Sequence, residues 1–186
     1  MSSPVGHTLA GMAAVIIIKK QWPLGCMDWI WIIFFSNLPD IDFILAYAAD
    51  VERHTFTHSI GFIAFILMII MTIINVKPEL GRKVPNRIQY FIVFPVVLIT
   101  LHILLDMLAV DESFPYGVQL FWPLSDEFFI SPFAILPPTW TNYTLKKMII
   151  ENSKTLFFEI LIFVPIVIAA KGFAARSMRK KGRESA

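Results

Sequence analysis

The chain has 186 residues, 56% of them hydrophobic and 16% charged, with a mean hydropathy of +0.67 and a formal net charge of +2. A soluble domain carries about 25% charged residues, so this balance excludes an ordinary soluble enzyme and points to an integral membrane protein. Cys26 is the single cysteine, which rules out an internal disulfide.

The first apolar stretch, 5–18, has no basic residue ahead of it and Lys19 and Lys20 behind it. That is the reverse of a secretory signal peptide, so it reads as a helix of the mature protein. With 24–36, to which the turn-like "KKQWPLG" joins it, it makes a predicted helical hairpin whose arms are short for a full crossing. Residues 59–76 and 88–105 each run 18 residues without Asp, Glu, Lys or Arg, and are the firmest predicted spans. A further span over 155–170 contains Glu159 and Pro165, the latter a predicted kink. Residues 128–145 are equally uncharged, but Pro132, Pro137 and Pro138 would leave backbone groups unsatisfied in lipid, so this stretch reads as an interfacial loop. The expected fold is an all-α, polytopic membrane helix bundle of about five helices with a Pro-rich interfacial loop. One embedded domain covers 1–175, and a loose basic cytoplasmic tail covers 176–186.

Charge supplies the orientation. Lys19 and Lys20, then Lys77, Arg82, Lys83 and Arg87, then six basic residues from Lys171 to Arg183 account for 12 of the 16 Lys and Arg. Alternating helices bring these clusters to one side, which positive-inside bias makes cytoplasmic. Asp40, Asp42, Asp50, Glu52, Asp111, Glu112, Asp126 and Glu127 gather on the other, together with all four histidines.

His54 and His58 in "RHTFTHSI" are four apart, a helical spacing that stacks two imidazoles within reach of one metal or of two adjacent ones. His102 and Asp106 in "HILLD" repeat the spacing with a carboxylate. In "NLPDID", Pro39 suits a first helical turn, and Asp40 and Asp42 either cap that turn or coordinate. His7 follows Gly6, which permits a close approach of backbone or ligand. Taken singly, each of these is more often a satisfied polar residue than a ligand. Their convergence changes the balance: an ionised Asp within a bilayer costs about 2.5 to 3.5 kcal/mol, several carboxylates repel one another, and a divalent cation relieves both. His7, Asp40, His54, His58, His102 and Asp106 are therefore the expected ligands of about one to three ions, zinc first among them.

Three residues are candidates for roles beside the metal. Asp42 is a ligand or a partner that orients a histidine, and Arg53 either holds a phosphate oxygen or snorkels to the interface. Glu159, within an apolar helix, faces the site as a ligand or proton acceptor. Asp28 is expected to meet water. Trp22, Trp29, Trp31, Trp122 and Trp140 suit interface anchoring and packing. "SMRKKGR" suits orientation or anionic-lipid contact rather than nucleic acid.

From "GHTLAG" through "NLPDID" and "RHTFTHSI" to "HILLDMLAVDESFPYGVQLFWPL", about the first two thirds of the chain, the sequence resembles the YdjM family of inner-membrane, metal-dependent hydrolases. In that family's His-Arg-Gly-x-Thr-His-Ser motif, His54, Thr57, His58 and Ser59 fit, while Thr55 and Phe56 depart from it. His102 and Asp106 match its His-x-x-x-Asp, and Tyr116, Gly117, Trp122 and Pro123 match the segment after it. The same element is remotely similar to the zinc-dependent phospholipase C and P1 nuclease group, which implies attack of a metal-activated water on a phosphoester.

The expected function is hydrolysis of a membrane lipid or lipid-linked phosphoester at the outer face of the cytoplasmic membrane, with the 110–145 segment as a lid or headgroup-selecting loop. Two alternatives stand beside it. One is a metal-dependent amide or acyl-ester hydrolase on a lipid; the absence of HExxH argues against a zincin-type protease. The other is a non-enzymatic metal-binding or metal-transporting protein, which would need polar groups near the midplane and access from both sides.

Overall fold

The structure, a computed structural model, describes residues 2–43, 54–84, 86–110, 116–139 and 144–184. Arg53, Asp50, Glu52, Asp111, Glu112 and Trp140 lie outside the described residues.

Helix α1, Pro4–Lys19, begins where the Ser3 side chain accepts the Gly6 amide and Pro4 supplies the φ of a first turn. It ends at Lys20 in a left-handed conformation. Helix α2, Cys26–Asn37, is started by Asp28, whose carboxylate reaches back to the Gly25 amide. A 3-10 turn, Phe56–His58, leads into α3, Ile60–Val76, capped by the Ser59 hydroxyl accepting from the Phe62 amide. The short α4, Pro78–Arg82, follows. A π-helical turn, Gln89–Val93, then runs into α5, Phe94–Met107. Pro95 near the start of α5 has no amide to donate, and the Phe94 amide bonds Gln89 in the wider register. Helix α6, Leu145–Glu184, is 40 residues long. Among the described residues there is no β-strand, only isolated bridges between Ala109 and Leu136 and between Val118 and Phe129. The chain is an all-helical bundle of the membrane type.

Helix α1 lies at the centre, against α2, α5 and, most extensively, α6, while α3 packs on α5. Ile16, Ile32, Phe35, Phe94, Leu98 and Ile99 fill the interior. The α1–α2 contact is close enough that a Cβ on Gly11 would lie 2.2 Å from the Ser36 hydroxyl. Phe65, Met68 and Ile73 on α3 and Phe157, Leu161 and Ile168 on α6 face outward. That much exposed apolar surface suits lipid rather than water. Gln89–Met107 and Leu145–Arg183 are long and apolar enough to cross a membrane, and Pro4–Lys19 and Ile60–Val76 are shorter apolar helices. With 12 residues, α2 spans about 18 Å and falls short by itself.

Two expectations need correction. The stretch expected to be a loose tail is helical as far as Glu184, continuous with the span before it, which contains Pro165. Asp28 does not meet water: it is 1% exposed, with both carboxylate oxygens 2.7 Å from Lys19 Nζ and the Tyr90 hydroxyl donating to Oδ1 at 2.5 Å. Its depth requires a partner, and Lys19 is the nearest cation.

The polar groups sort to the two ends of the bundle. Lys19, Lys20 and Lys181 line one cavity at the end where α1 stops, and there Lys171 lies over the Trp22 ring. The opposite end holds the histidines. Residues 116–139 are tethered at that end as an irregular segment: the Ile60 and Gly61 amides donate to the Leu120 and Trp122 carbonyls, and the Ile135 amide to that of Leu108. Between Lys154 and Lys171, α6 carries a single charged residue, Glu159, about 7 Å along the axis from Lys154.

Candidate metal centre

Each of four elements presents its histidine or carboxylate at the same end. His7 lies one turn into α1, and Asp40 and Asp42 follow the tight turn after α2, where the Ile41, Asp42 and Phe43 amides bond the Leu38, Pro39 and Asp40 carbonyls. His58 closes the 3-10 turn before α3, and His102 and Asp106 occupy successive turns near the end of α5. His7, Asp42, His54, His58, His102 and Asp106 are buried, whereas the Asp40 side chain is 21% exposed.

Donor atoms of Asp40, His58, His102 and Asp106 all lie within 4.8 Å of one another. His58 Nε2 and His102 Nε2 are 3.2 Å apart. Asp106 Oδ2 is 3.2 Å from the first and 3.1 Å from the second, and Asp40 Oδ1 is 3.6 Å from His102 Nε2. Ligands at 2.0–2.1 Å around a tetrahedral ion are about 3.3 Å apart, so the group could hold one shared ion. The other ring nitrogens are engaged: His102 Nδ1 bonds the Ser36 carbonyl at 2.7 Å, and His58 Nδ1 is 3.2 Å from Asp42 Oδ2 and 3.1 Å from Thr57 Oγ1. An imidazole tethered through Nδ1 turns Nε2 toward a metal in a fixed tautomer. Asp106 Oδ2 has no hydrogen bond of good geometry despite its burial, as expected of an atom aimed at an ion. Nitrogen and oxygen donors of this kind fit zinc and other divalent first-row metals.

Around this group, His7 stacks on His102 with ring centroids 3.7 Å apart, and its Nε2 is 3.3 Å from Asp106 Oδ1. It therefore adds a donor on the opposite side of the same carboxylate. Burial alone would lower the His58 pKa, but Asp106 and Asp42 outweigh it and raise it from 6.5 to about 10. Burial would raise the Asp42 carboxyl, yet His58 and the His54 amide, which donates to Oδ2 at 2.7 Å, hold it below the ordinary range.

His54 is brought close by a different route from the expected one. It does not share a helix with His58: it lies in a turn at φ 60°, with α3 starting only at Ile60, and the two rings are 5.0 Å apart at 67°. Histidine is one of the few residues enriched in that left-handed region. Here the conformation aims the His54 amide at Asp42. Arg53 lies outside the described residues.

Glu159 is buried at the same end but is not among the four converging donors. Its oxygens accept from Ser2 Oγ at 2.7 Å, from the Ser3 amide at 2.7 Å and from the Ser3 hydroxyl. Ser2 in turn donates its amide to Asp106 Oδ1 at 2.8 Å. Glu159 is thus joined through Ser2 to the Asp106 carboxylate. The serines and the Ser36 carbonyl carried no recognisable motif. Gly6 did signal a close approach, and what approaches is the Ser2 hydroxyl and the Glu159 carboxyl, 2.6 and 2.7 Å from where a Cβ would stand.

No curated protein and no solved structure matches the chain, and the remote likeness to the phospholipase C and P1 nuclease group is not shown. The family model described as YdjM inner membrane protein matches residues 1–178, a range that takes in every donor above and α6 as far as its basic stretch. The chain belongs to the YdjM inner membrane protein family.

Proposed function

We propose that this protein is a membrane-embedded, metal-dependent hydrolase that cleaves a lipid phosphoester at the outer interface of the cytoplasmic membrane. The observation that carries the reading is the pair of imidazoles tethered at Nδ1, by Asp42 and by the Ser36 carbonyl, with both Nε2 atoms facing Asp106. His58, His102, Asp106 and Asp40 would hold one ion, and His7 is available to a second. Bound zinc would supply Lewis acidity, acidifying a water and offsetting the charge that grows on phosphate. Asp40, the most exposed of the four donors, marks the side from which a phosphate reaches the site. Asp42 keeps the His58 ring oriented, and Glu159 keeps Asp106 in place through Ser2. With the basic end cytoplasmic, as positive-inside bias requires, the site faces outward.

A carrier is disfavoured by the closed interior below the centre. Ile16, Ile32, Phe94 and Leu98 fill it, and the Lys19–Asp28–Tyr90 cluster lies beneath. The test is to purify the protein in detergent, measure bound metals, and assay phosphate or phosphoalcohol release from mixed phospholipids and lipid phosphates. Wild type should hold at least one ion per chain and turn over one lipid class, with His58→Ala and Asp106→Asn losing both. Wild type without stoichiometric metal would overturn the reading. Metal without turnover of phosphoesters, amides or acyl esters would favour the non-enzymatic alternative.

A further inference from the structure

Of the four converging donors, His58, His102 and Asp106 are buried, and Asp40 alone has an exposed side chain. The open flank of the centre is therefore that of α2, which leads into Asp40. This helix packs on α1 and α5 and buries Ile32 and Phe35 in the core. Its other face turns Ile30, Ile33 and Phe34 outward, 53–60% exposed, and Ile41 stands exposed next to Asp40. The three- and four-residue spacing puts Ile30, Ile33 and Phe34 in one apolar row that runs toward the donors. Depth gives that row a meaning. His7 and Lys19 lie about 18 Å apart along α1, as do Glu159 and Lys171 along α6, and Lys154 is only about 7 Å beyond Glu159. With the basic end cytoplasmic and a bilayer core about 30 Å thick, the donors are sunk in the outer half of that core. A dissolved phosphoester would have to leave water to reach them, whereas a lipid is already there.

We propose that the centre takes a long-chain lipid sideways from the surrounding leaflet, its acyl chain laid along Ile30, Ile33, Phe34 and Ile41 while its phosphate turns in past Asp40. This rests on the reading of the site given above and adds the part of the chain that selects the lipid. The phosphate needs the ion as well, because Asp40 and Asp106 without a cation repel it.

The experiment is photo-crosslinking of the full chain in phosphatidylcholine nanodiscs that contain a small fraction of a non-hydrolysable phosphonate analogue of phosphatidic acid with a diazirine at mid-chain. With zinc present, adducts per residue over 26–41 should exceed those on α3 about fivefold, and a chelator should bring that ratio close to unity. Phe34→Ala/Ile41→Ala removes exposed side chains only, so it should melt like wild type and lose most of the excess. A ratio near unity with zinc, a ratio that the chelator leaves unchanged, or an undiminished excess in the double variant would overturn the proposal. Displacement of the probe by glycerol 3-phosphate at the same concentration would give the headgroup all of the binding and overturn it too. None of these readouts uses turnover. Zinc-dependent excess labelling without hydrolysis of any lipid would keep the inference and end the hydrolase reading, whereas lipid hydrolysis with even labelling would do the reverse.

Discussion

Asp42 makes the residue-scale case, because it reaches His58 rather than the converging donors. Replacing an outer partner of this type typically lowers metal affinity about 10- to 100-fold. Asp42→Asn should do so in a chelator competition assay while leaving the metal-to-protein ratio near wild type at saturating zinc. His58 adds a pH dependence. With its pKa at about 10 in the metal-free protein, the ring is protonated near neutrality, and a metal must displace that proton. Metal affinity should therefore rise about tenfold per pH unit from 6.5 toward 10, with proton release visible by calorimetry in buffers of different ionisation enthalpy. The metal-free protein should show the opposite sign, since a raised histidine pKa contributes stability that is fully present below 6.5 and is lost as pH climbs through about 10. The residue types of the centre were legible in the chain because histidine and aspartate are rare and costly in apolar surroundings. Their tethers were not. The Ser36 carbonyl and the Ser2 amide are backbone groups, which every residue has, and only the fold says which of them meet His102 and Asp106.

At the scale of elements, α1 is the part whose sequence constrains the site most. Its N-terminal segment is fastened to α6 through Glu159 and to α5 through Asp106. Gly6→Ala would force a methyl group into the Ser2–Glu159 contact, a crowding of the kind that costs about 1–3 kcal/mol. The expected result is a lower melting temperature in detergent together with weaker zinc retention, whereas Ala10→Gly one turn along should leave zinc retention alone. The helices themselves were readable from runs of uncharged residues, and all five predicted segments correspond to helices. The four-residue spacing of His54 and His58 misled because period alone does not say whether a turn is helical; Ser59, a good N-cap, starts α3 only after both. The length of α6 was hidden for a related reason: charge ends a membrane span but not a helix.

For the molecule as a whole, the two ends are held by polar clusters and the middle by apolar packing. At the basic end, Lys19→Met would leave the Asp28 carboxylate buried with only Tyr90 and the Gly25 amide. Breaking such a pair costs about 3–5 kcal/mol. Thermal melts should show that loss in Lys19→Met and recovery of most of it in Lys19→Met/Asp28→Asn, where no orphaned charge remains. The other end differs in that its buried histidines and carboxylates could hold a cation. His7, His58, His102 and Asp106 are buried, and beside them residues 116–139 are tied to the start of α3 through the amides of Ile60 and Gly61. Asp40 is the exposed member of the group, so an ion seated there would enter and leave on its side without the bundle opening. Loading would then need no unfolding, and a chelator added to the assembled protein should strip the ion and fresh metal restore it.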